Sequence, residues 1–206
     1  MQLHKWHVVD AATALLDSYG IADLTMRRLA RELNVSPGAL YWHFANKQQL
    51  LGAVADRILQ PACAGVVATG WRERVEEVGV TLRDALLSHT DGAELVSASF
   101  AAGQSPAVLQ IVSRLADAAG AAGVAPAQAE LVARTVVHYV LGFVVDEQSR
   151  LQWDAAGALA EEQSVLSIDA NARFAFGLRL LIDGVERVPR PLAAQRQSAG
   201  PRRSLG

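Results

Sequence analysis

The chain contains very little cysteine. Cys63 is the single cysteine among 206 residues, so an intrachain disulfide is excluded and a structural zinc site has no basis. We interpret Cys63 as a small buried apolar residue. We also expect no bound metal ion and no cofactor.

A large excess of either charge is also absent. The chain has 19 lysine or arginine residues and 21 aspartate or glutamate residues. Residues 1–50 are only slightly basic, with five residues of the first kind and four of the second. This balance argues against nonspecific coating of a polyanion. Any contact with nucleic acid is therefore expected at a localised surface.

No apolar run is long enough to cross a membrane. The most apolar run, Val136 to Val145, is interrupted by His138 and is too short for a hydrocarbon layer of about 30 Å. The first residues, MQLHKWHVV, lack the apolar core and the cleavage pattern of a secretory signal. We therefore expect a cytoplasmic protein without a membrane partner.

The motifs of common enzyme classes are missing as well. The sequence has no HExxH, no nucleophile elbow, no glycine-rich phosphate loop and no paired carboxylate–histidine motif. We therefore predict no catalytic residues and no enzymatic activity. A helical small-molecule carrier or adaptor remains an alternative at this point.

Apolar residues recur throughout the chain with the period of an α-helix. The first helix has one apolar stripe, formed by Val8, Ala12, Leu15, Leu16 and Tyr19. Gly20 then supplies a helix stop. No segment alternates as a half-buried strand does. The pattern predicts an all-α protein with two unequal domains, residues 1–46 and 47–188, followed by a basic disordered tail, residues 189–206.

The segment TMRRLARELNVSPGALYWHFANK has the spacing of a helix-turn-helix. Thr25 is a suitable N-cap for a helix that runs to about Leu33, and Asn34 suits a left-handed helix stop. Ser36 can cap the next helix with Pro37 in its first position, where a missing N–H costs nothing. Only about three residues then separate the two helices, which is helix-turn-helix geometry.

The second of these helices presents a cluster of aromatic side chains with polar tips. Leu40 and Phe44 point toward the hydrophobic centre, which leaves Tyr41, Trp42 and His43 on the opposite side. An outward cluster of this kind needs a covering surface. DNA fits best, because these side chains combine apolar area with groups that hydrogen-bond to phosphate and sugar. Packing of the tyrosine and tryptophan rings on the first helix is the alternative.

Neighbouring residues agree with contact to DNA. Gly38 and Ala39 are small enough for the helix N-terminus to approach base edges, and Arg27 can reach a guanine from the preceding helix. Asn46 begins a further helix, so its free N–H groups and Lys47 form a phosphate clamp.

These motifs resemble the TetR family of one-component transcriptional regulators. The residues LYWHF, followed by NK and a leucine pair, carry the resemblance, and VVDAATALLDSYGIADLT extends it backward. HTDGAELV, VVHYVLGFVVDEQ and FAFGLRLLIDGVE are similar to segments of the tetracycline-repressor branch. The resemblance implies a dimeric, all-helical repressor that a small ligand releases from DNA. The DNA contacts that it implies are Thr25, Arg27, Pro37, Gly38, Ala39, Tyr41, Trp42, His43 and Lys47.

A long helix from Asn46 to near Pro61 joins the two predicted domains. If a ligand moves its Pro61 end, the opposite end must shift Lys47 and, through packing, the recognition helix. The sequence therefore predicts that this helix acts as a lever between ligand and DNA.

The last two long helices are expected to form the interface of a homodimer. Between Leu131 and Val145 the first of them is apolar almost all round, so one face should line its own subunit and another should meet a partner. In the last helix, residues 170–188, two glycines two turns apart would let another backbone approach closely. The predicted dimer contacts are Phe174, Gly177, Leu178, Leu181, Gly184 and Val185. A two-fold dimer predicts a palindromic operator with half-sites about 10 base pairs apart or a near multiple.

A small-molecule effector requires a pocket, which is usually apolar with a few polar anchors. The predicted ligand-binding residues are Phe100, Leu109, Gln110, Val112, His138, Leu141, Val145, Asp146 and Trp153. Each is also compatible with ordinary core, and for His138 a buried imidazole with satisfied hydrogen bonds is the favoured alternative.

The resemblance also identifies a departure from the tetracycline repressors. In that branch a histidine shortly after the Asp-Gly-Ala motif coordinates the magnesium ion that the drug carries, but Val96 occupies the matching position here. Cys63 stands where those proteins have a drug-contacting histidine, although Asp146 occupies a matching acidic position. We therefore expect an apolar or aromatic metabolite, antibiotic or other xenobiotic instead of a magnesium–tetracycline complex.

Overall fold

The computed structural model describes residues 3–65, 67–159 and 169–188, and within them every regular element is an α-helix. The predicted all-α fold is confirmed. The predicted basic tail lies outside the described residues. The helices are α1 (Lys5–Asp23), α2 (Met26–Glu32), α3 (Pro37–Tyr41), α4 (Lys47–Leu59), α5 (Trp71–Leu87), α6 (Gly92–Ala101), α7 (Pro106–Ala121), α8 (Pro126–Ala155) and α9 (Ala170–Val185).

Short polar signals set the boundaries of the helix-turn-helix, as the sequence predicts. The Thr25 hydroxyl accepts a hydrogen bond from an α2 backbone N–H at 3.2 Å, and the Ser36 hydroxyl accepts one from α3 at 3.3 Å. The Asn46 carboxamide oxygen accepts one from α4 at 2.9 Å. Asn34 has a left-handed φ of 52°. Local sequence therefore fixes the turn between α2 and α3 and the start of α4.

The C-terminal end of α1 differs from the prediction at one residue. Gly20 interrupts the helical conformation with φ 77° and ψ 175°, which agrees with its predicted role as a stop. Tyr19, however, was expected in the buried stripe and is 56% exposed. The Arg28 guanidinium carbon lies 3.8 Å from the centre of the tyrosine ring. The ring stays at the surface because the last turn of α1 meets this arginine of α2 instead of the apolar core.

α4 connects the N-terminal helices to the larger helical domain. It packs against α1, α5, α6 and α7. Its buried side chains belong to one continuous apolar cluster that extends from Val8 in α1 to Ile182 in α9. The two domains therefore share a single hydrophobic core.

α8 packs against α5, α6, α7 and α9, yet one stripe of it remains uncovered. The exposed positions recur every three or four residues and are Leu131, Thr135, His138, Gly142 and Val145. The exposure of His138 is a correction, because a buried imidazole was the favoured alternative. One apolar face of α8 thus packs inside the chain, and a second face is exposed.

By length and composition α8 also meets the criteria for a membrane span, and α6 and α7 meet them only if the pair is taken as one span bent by 84°. Core helices meet the same criteria. α8 is such a helix in this fold, because its Val136, Val140 and Val144 are buried and its Glu147 pairs with Arg83 of α5.

Candidate nucleic-acid interface and regulatory sites

The surface around α3 carries the aromatic side chains that the sequence singled out. Leu40 and Phe44 are buried beneath it, whereas Tyr41 is 51% and Trp42 is 90% exposed. His43 is half-buried beside them. An indole this exposed contributes almost no apolar burial to the fold, so its size points to contact with another molecule.

The remaining predicted contacts of the helix-turn-helix surround these rings. Arg27, Pro37 and Gly38 are exposed, and Ala39 is half-buried. Thr25 already accepts a hydrogen bond as the cap of α2, but its hydroxyl proton remains available to an acceptor such as a phosphate oxygen.

Lys47 begins α4 and lies half-buried beside the Asn46 cap. The Gln49 side chain accepts a hydrogen bond from the Ala45 N–H at 3.0 Å, one residue earlier than in a regular capping box. The first turns of α2, α3 and α4 contain no acidic residue. Lys47 and the positive end of the α4 dipole therefore both favour an anion at this end of the helix.

Lys5 lies at the same surface, although no DNA contact was predicted for it. Its amine lies 5.0 Å from the centre of the Phe44 ring. Phe44 directly follows the aromatic cluster in the chain. His4 and Trp6 stack beside it with ring centres 6.3 Å apart. The sequence signal for this contact was Lys5 itself, a basic residue in the first turn of α1, which packs on the helix-turn-helix.

The predicted ligand-binding residues do not line one enclosed cavity within the described part of the chain. Phe100 and His138 meet, with ring centres 5.5 Å apart, and the Arg134 guanidinium carbon lies 5.5 Å from the centre of the Phe100 ring. Val112 and Leu141 are buried in the core. Five others are exposed, namely Leu109, Gln110, Val145, Asp146 and Trp153.

Leu109 is a correction within that set, because a residue in the wall of an apolar pocket was expected to face inward. It is exposed, whereas Val108 and Ile111 are buried. The inward face of α7 therefore contains Val112, as predicted, together with Val108 and Ile111 instead of Leu109.

Two clefts lie between the N-terminal helices and the larger domain. One of about 810 Å³ lies between α1, α4 and α7 and is lined in part by Trp6, Cys63 and Gln110. The other, of about 550 Å³, lies between α1, α4 and α5 and includes Asp17 and His89.

Neither position that departs from the tetracycline repressors offers a metal ligand set here. Val96 is buried. Cys63 is half-buried and its thiol lies 3.7 Å from the Ala107 carbonyl oxygen. Burial raises the pKa of this thiol, which keeps it protonated near neutrality. The described residues contain no cluster of three or more potential metal ligands.

The predicted dimer contacts divide between the two faces of α9. Phe174, Leu178 and Val185 are buried inside their own chain. Gly177 faces the hydroxyl of Tyr139 in the same chain, where a Cβ would collide, whereas Gly184 has open space. The apolar stripe read as a partner surface is thus mainly an intramolecular one, because α9 must cover α5 and α8.

The face of α9 that remains available carries other side chains. Phe176 is 60% and Leu180 is 58% exposed. A groove of about 370 Å³ runs between this face and α8, lined by Leu131, Val132, Thr135, Leu180, Leu181, Gly184 and Val188, among others.

A polar junction that the sequence did not reveal joins α1 to the turn between α5 and α6. Asp17 lies 3.0 Å from His89 Nδ1 and also accepts a hydrogen bond from the Thr90 N–H. Asp91 accepts a hydrogen bond from the Ile21 N–H at 2.9 Å. The junction thus fixes the orientation of α1 on the larger domain.

Comparison with known proteins agrees with this arrangement. Residues 8–54 match the model for bacterial regulatory proteins of the tetR family, and residues 67–164 match the tetracyclin repressor-like C-terminal domain. The tetracycline repressor protein class E of Escherichia coli is 33% identical over 189 residues, which cover 86% of this chain and 88% of that repressor.

Two crystal structures share more of the sequence. That of Mycobacterium smegmatis BioQ is 62% identical with a TM-score of 0.85, and the match covers 91% of this chain and 100% of that one. A structure of BioQ with its double-stranded DNA operator is 60% identical with a TM-score of 0.78, and covers 90% of this chain and 99% of that one. The chain therefore belongs to the TetR family and is a DNA-binding transcriptional regulator.

Proposed function

We propose that the chain is a homodimeric repressor that binds a palindromic operator and is released from it by a small apolar or aromatic effector. The observation that carries this proposal is the exposure of Trp42 and Tyr41 beside the capped start of α4. The crystal structure of the related BioQ with its double-stranded DNA operator supports operator binding by this chain.

In this proposal the nine predicted DNA contacts divide by chemistry. Arg27, Gly38 and Ala39 face base edges, where sequence is read in the major groove. Tyr41, Trp42 and the remaining predicted contacts bind sugar and phosphate. Lys5 adds a phosphate contact at the edge of the surface, because its amine lies next to Phe44.

The dimer that presents two such surfaces uses the outward faces of α8 and α9. Phe176, Leu180 and Gly184 on α9 and the stripe from Leu131 to Val145 on α8 supply the apolar area. Two copies of each helix make a four-helix interface. A two-fold axis through it sets the half-sites about 10 base pairs apart or a near multiple.

The effector site belongs to the larger domain, which we take to begin at residue 47 and to end at residue 188. Phe100 and His138 form its aromatic wall, and dimerisation would cover the stripe of α8 that carries His138 and Val145. Valine at position 96 and a protonated thiol at position 63 argue against a magnesium–drug complex. The protein acts in the cytoplasm and catalyses no reaction.

The test is operator binding by variants of the proposed surface. We expect Trp42→Ala to weaken operator binding by about 1 kcal/mol or more, because a large aromatic contact is lost. We expect Lys47→Ala to reduce the slope of log affinity against log salt by about 0.9, the value for one phosphate contact. Both are measured by fluorescence anisotropy with an operator selected from a random DNA library.

Leu109→Ala is the control, since Leu109 is an apolar residue on α7 that is also exposed. It should bind the operator as the wild type does. Wild-type affinity in Trp42→Ala, or dissociated subunits in either α3–α4 variant, would contradict the proposed surface. A thermal-shift screen against metabolites and antibiotics, followed by release of the operator, would identify the effector.

A further inference from the structure

The turn that follows α4 is held by a single arginine of α7. Arg114 donates hydrogen bonds from Nη1 to the Ala64 carbonyl at 2.6 Å and to the Ala62 carbonyl at 3.3 Å. Its Nη2 donates to the Cys63 carbonyl at 2.6 Å. The guanidinium thus satisfies three consecutive carbonyls in the turn that follows Leu59, the last residue of α4.

The N-terminal end of α7 is held in return by an aspartate of α4. Asp56 accepts a hydrogen bond from the Ser105 hydroxyl at 2.7 Å and from the Ala107 N–H at 3.0 Å. Ser105 is the N-cap of α7, so the carboxylate lies where the helix dipole is positive. α4 therefore places a charge on the N-terminus of α7, and α7 places one on the turn that follows α4.

A backbone contact lies one turn nearer the DNA end of α4. A Cβ at Gly52 would overlap the carbonyl oxygen of Gln104, which lies between α6 and α7. α4 and the start of α7 therefore touch without an intervening side chain, and little sliding between them is possible.

We propose that Arg114 and Asp56 form a reciprocal clamp that sets the tilt of α4, and that this tilt sets the operator half-site spacing the dimer accepts. The proposal rests on the dimeric DNA-binding function proposed above. Both residues act through α4 and are positioning residues, because neither touches the proposed DNA surface.

The length of α4 makes its tilt consequential. Its 13 residues span about 20 Å. Lys47 and the adjacent aromatic cluster lie at one end, and the Arg114 contacts lie in the turn just past the other end. A small rotation at the clamped end therefore displaces the DNA-binding end of α4. Because both subunits of the dimer are displaced, the distance between the two DNA-binding surfaces changes by up to twice that amount. One base pair corresponds to about 3.4 Å along the duplex and about a tenth of a turn.

The experiment measures affinity against a series of operators in which the two half-sites are moved by one and two base pairs in either direction. The operator is first selected from a random DNA library with the wild-type protein. Arg114→Met removes the guanidinium donors and keeps the aliphatic stem, and Asp56→Ala removes the carboxylate. Asp56→Asn keeps an acceptor oxygen and is the conservative variant.

The matched control is Arg57→Met. Arg57 is an exposed arginine on α4 itself whose partners, Asp10 and Gln60, do not lie on α7. If Arg114→Met loses the helical circular dichroism of the wild type, Arg114→Gln and Asp56→Ala supply the same comparison.

We expect the wild type, Asp56→Asn and Arg57→Met to bind one spacing more tightly than the others. In Arg114→Met and Asp56→Ala, the ratio of affinities between that spacing and the shifted spacings should fall about fivefold or more. An unchanged preference in both clamp variants would overturn the proposal. So would an equal loss of affinity at every spacing, since a purely structural role predicts that result. If the wild type selects no DNA sequence at all, the proposed function fails, and the clamp proposal fails with it.

Discussion

At the scale of single residues, the pair between Arg83 of α5 and Glu147 of α8 is the main buried charge interaction described. Both side chains are almost fully buried, and two hydrogen bonds of 2.6 and 2.9 Å join them. Asn171 of α9 accepts a third bond from the same guanidinium at 2.8 Å. One arginine therefore ties three helices of the larger domain together.

Breaking this pair should be costly because it leaves one charge buried without its partner. We expect Glu147→Leu to lower the free energy of unfolding by about 3–5 kcal/mol, and Arg83→Met combined with Glu147→Leu to recover most of the loss. Urea unfolding at one fixed protein concentration measures both.

Glu130→Leu serves as the control for this experiment. Glu130 pairs with Arg134 at the surface of α8 in the i, i+4 arrangement. Its replacement should change the free energy of unfolding by about 0.5 kcal/mol at most. A similar loss in Glu130→Leu and Glu147→Leu would show that burial does not distinguish the two pairs.

At the scale of elements, the start of α5 is fixed by a carboxylate on the same helix. Glu77 accepts hydrogen bonds from the Val67 and Ala68 N–H groups at 3.0 and 2.9 Å. These donors lower the pKa of the Glu77 carboxyl below its ordinary value. The residues just before α5 therefore depend on an ionised glutamate.

The sign of the pH dependence follows from that lowered pKa. The stabilisation is complete above the pKa of glutamate in the unfolded chain, about 4.3, and is lost as the pH falls through the lower pKa of the folded state. We expect the stability difference between wild type and Glu77→Gln to be constant above about pH 5.5 and to shrink below about pH 4.3. Urea midpoints at several pH values measure it, and a difference that grows on acidification would refute the assignment.

Helix termini were the features most readily predicted from the sequence, because capping depends on neighbouring residues. Thr25, Ser36 and Asn46 act as the sequence indicated. The outward faces of α7 and α9 were less predictable, since a helix with apolar residues on several sides does not itself determine which side its own chain covers. Leu109 and Phe174 were misplaced for that reason.

The candidate site was also predicted only where its features depend on neighbouring residues. The exposed aromatic residues of α3 followed from the local period, whereas Lys5 depends on how α1 crosses Phe44. The contacts of Asp56 and Arg114 join residues about 50 positions apart in the chain. Pairs at such separations have no signature in a single sequence.

At the scale of the whole molecule, the proposed dimer uses the face that α8 and α9 leave uncovered. Leu180 lies on this face and, with Gly184, lines the groove that borders α8. A charge placed there would have to be desolvated when two subunits meet.

We expect Leu180→Glu to be monomeric in size-exclusion chromatography with light scattering, and to lose about a hundredfold or more of its operator affinity because the second half-site contact becomes independent. Leu109→Glu, at an exposed leucine of α7, should remain dimeric. A dimeric Leu180→Glu would place the interface elsewhere on the molecule.

The continuous cluster of buried side chains from α1 to α9 has a consequence for protein engineering. A hybrid regulator assembled by exchanging the first three helices for those of a homologue would cut through shared packing, so its two pieces would lack matched surfaces. Carrying α4 along with either piece still leaves one of its sides to be redesigned. Changes of operator specificity in this scaffold are therefore better attempted by substituting a few solvent-facing positions of the proposed DNA surface on α2 and α3 than by transplanting a module.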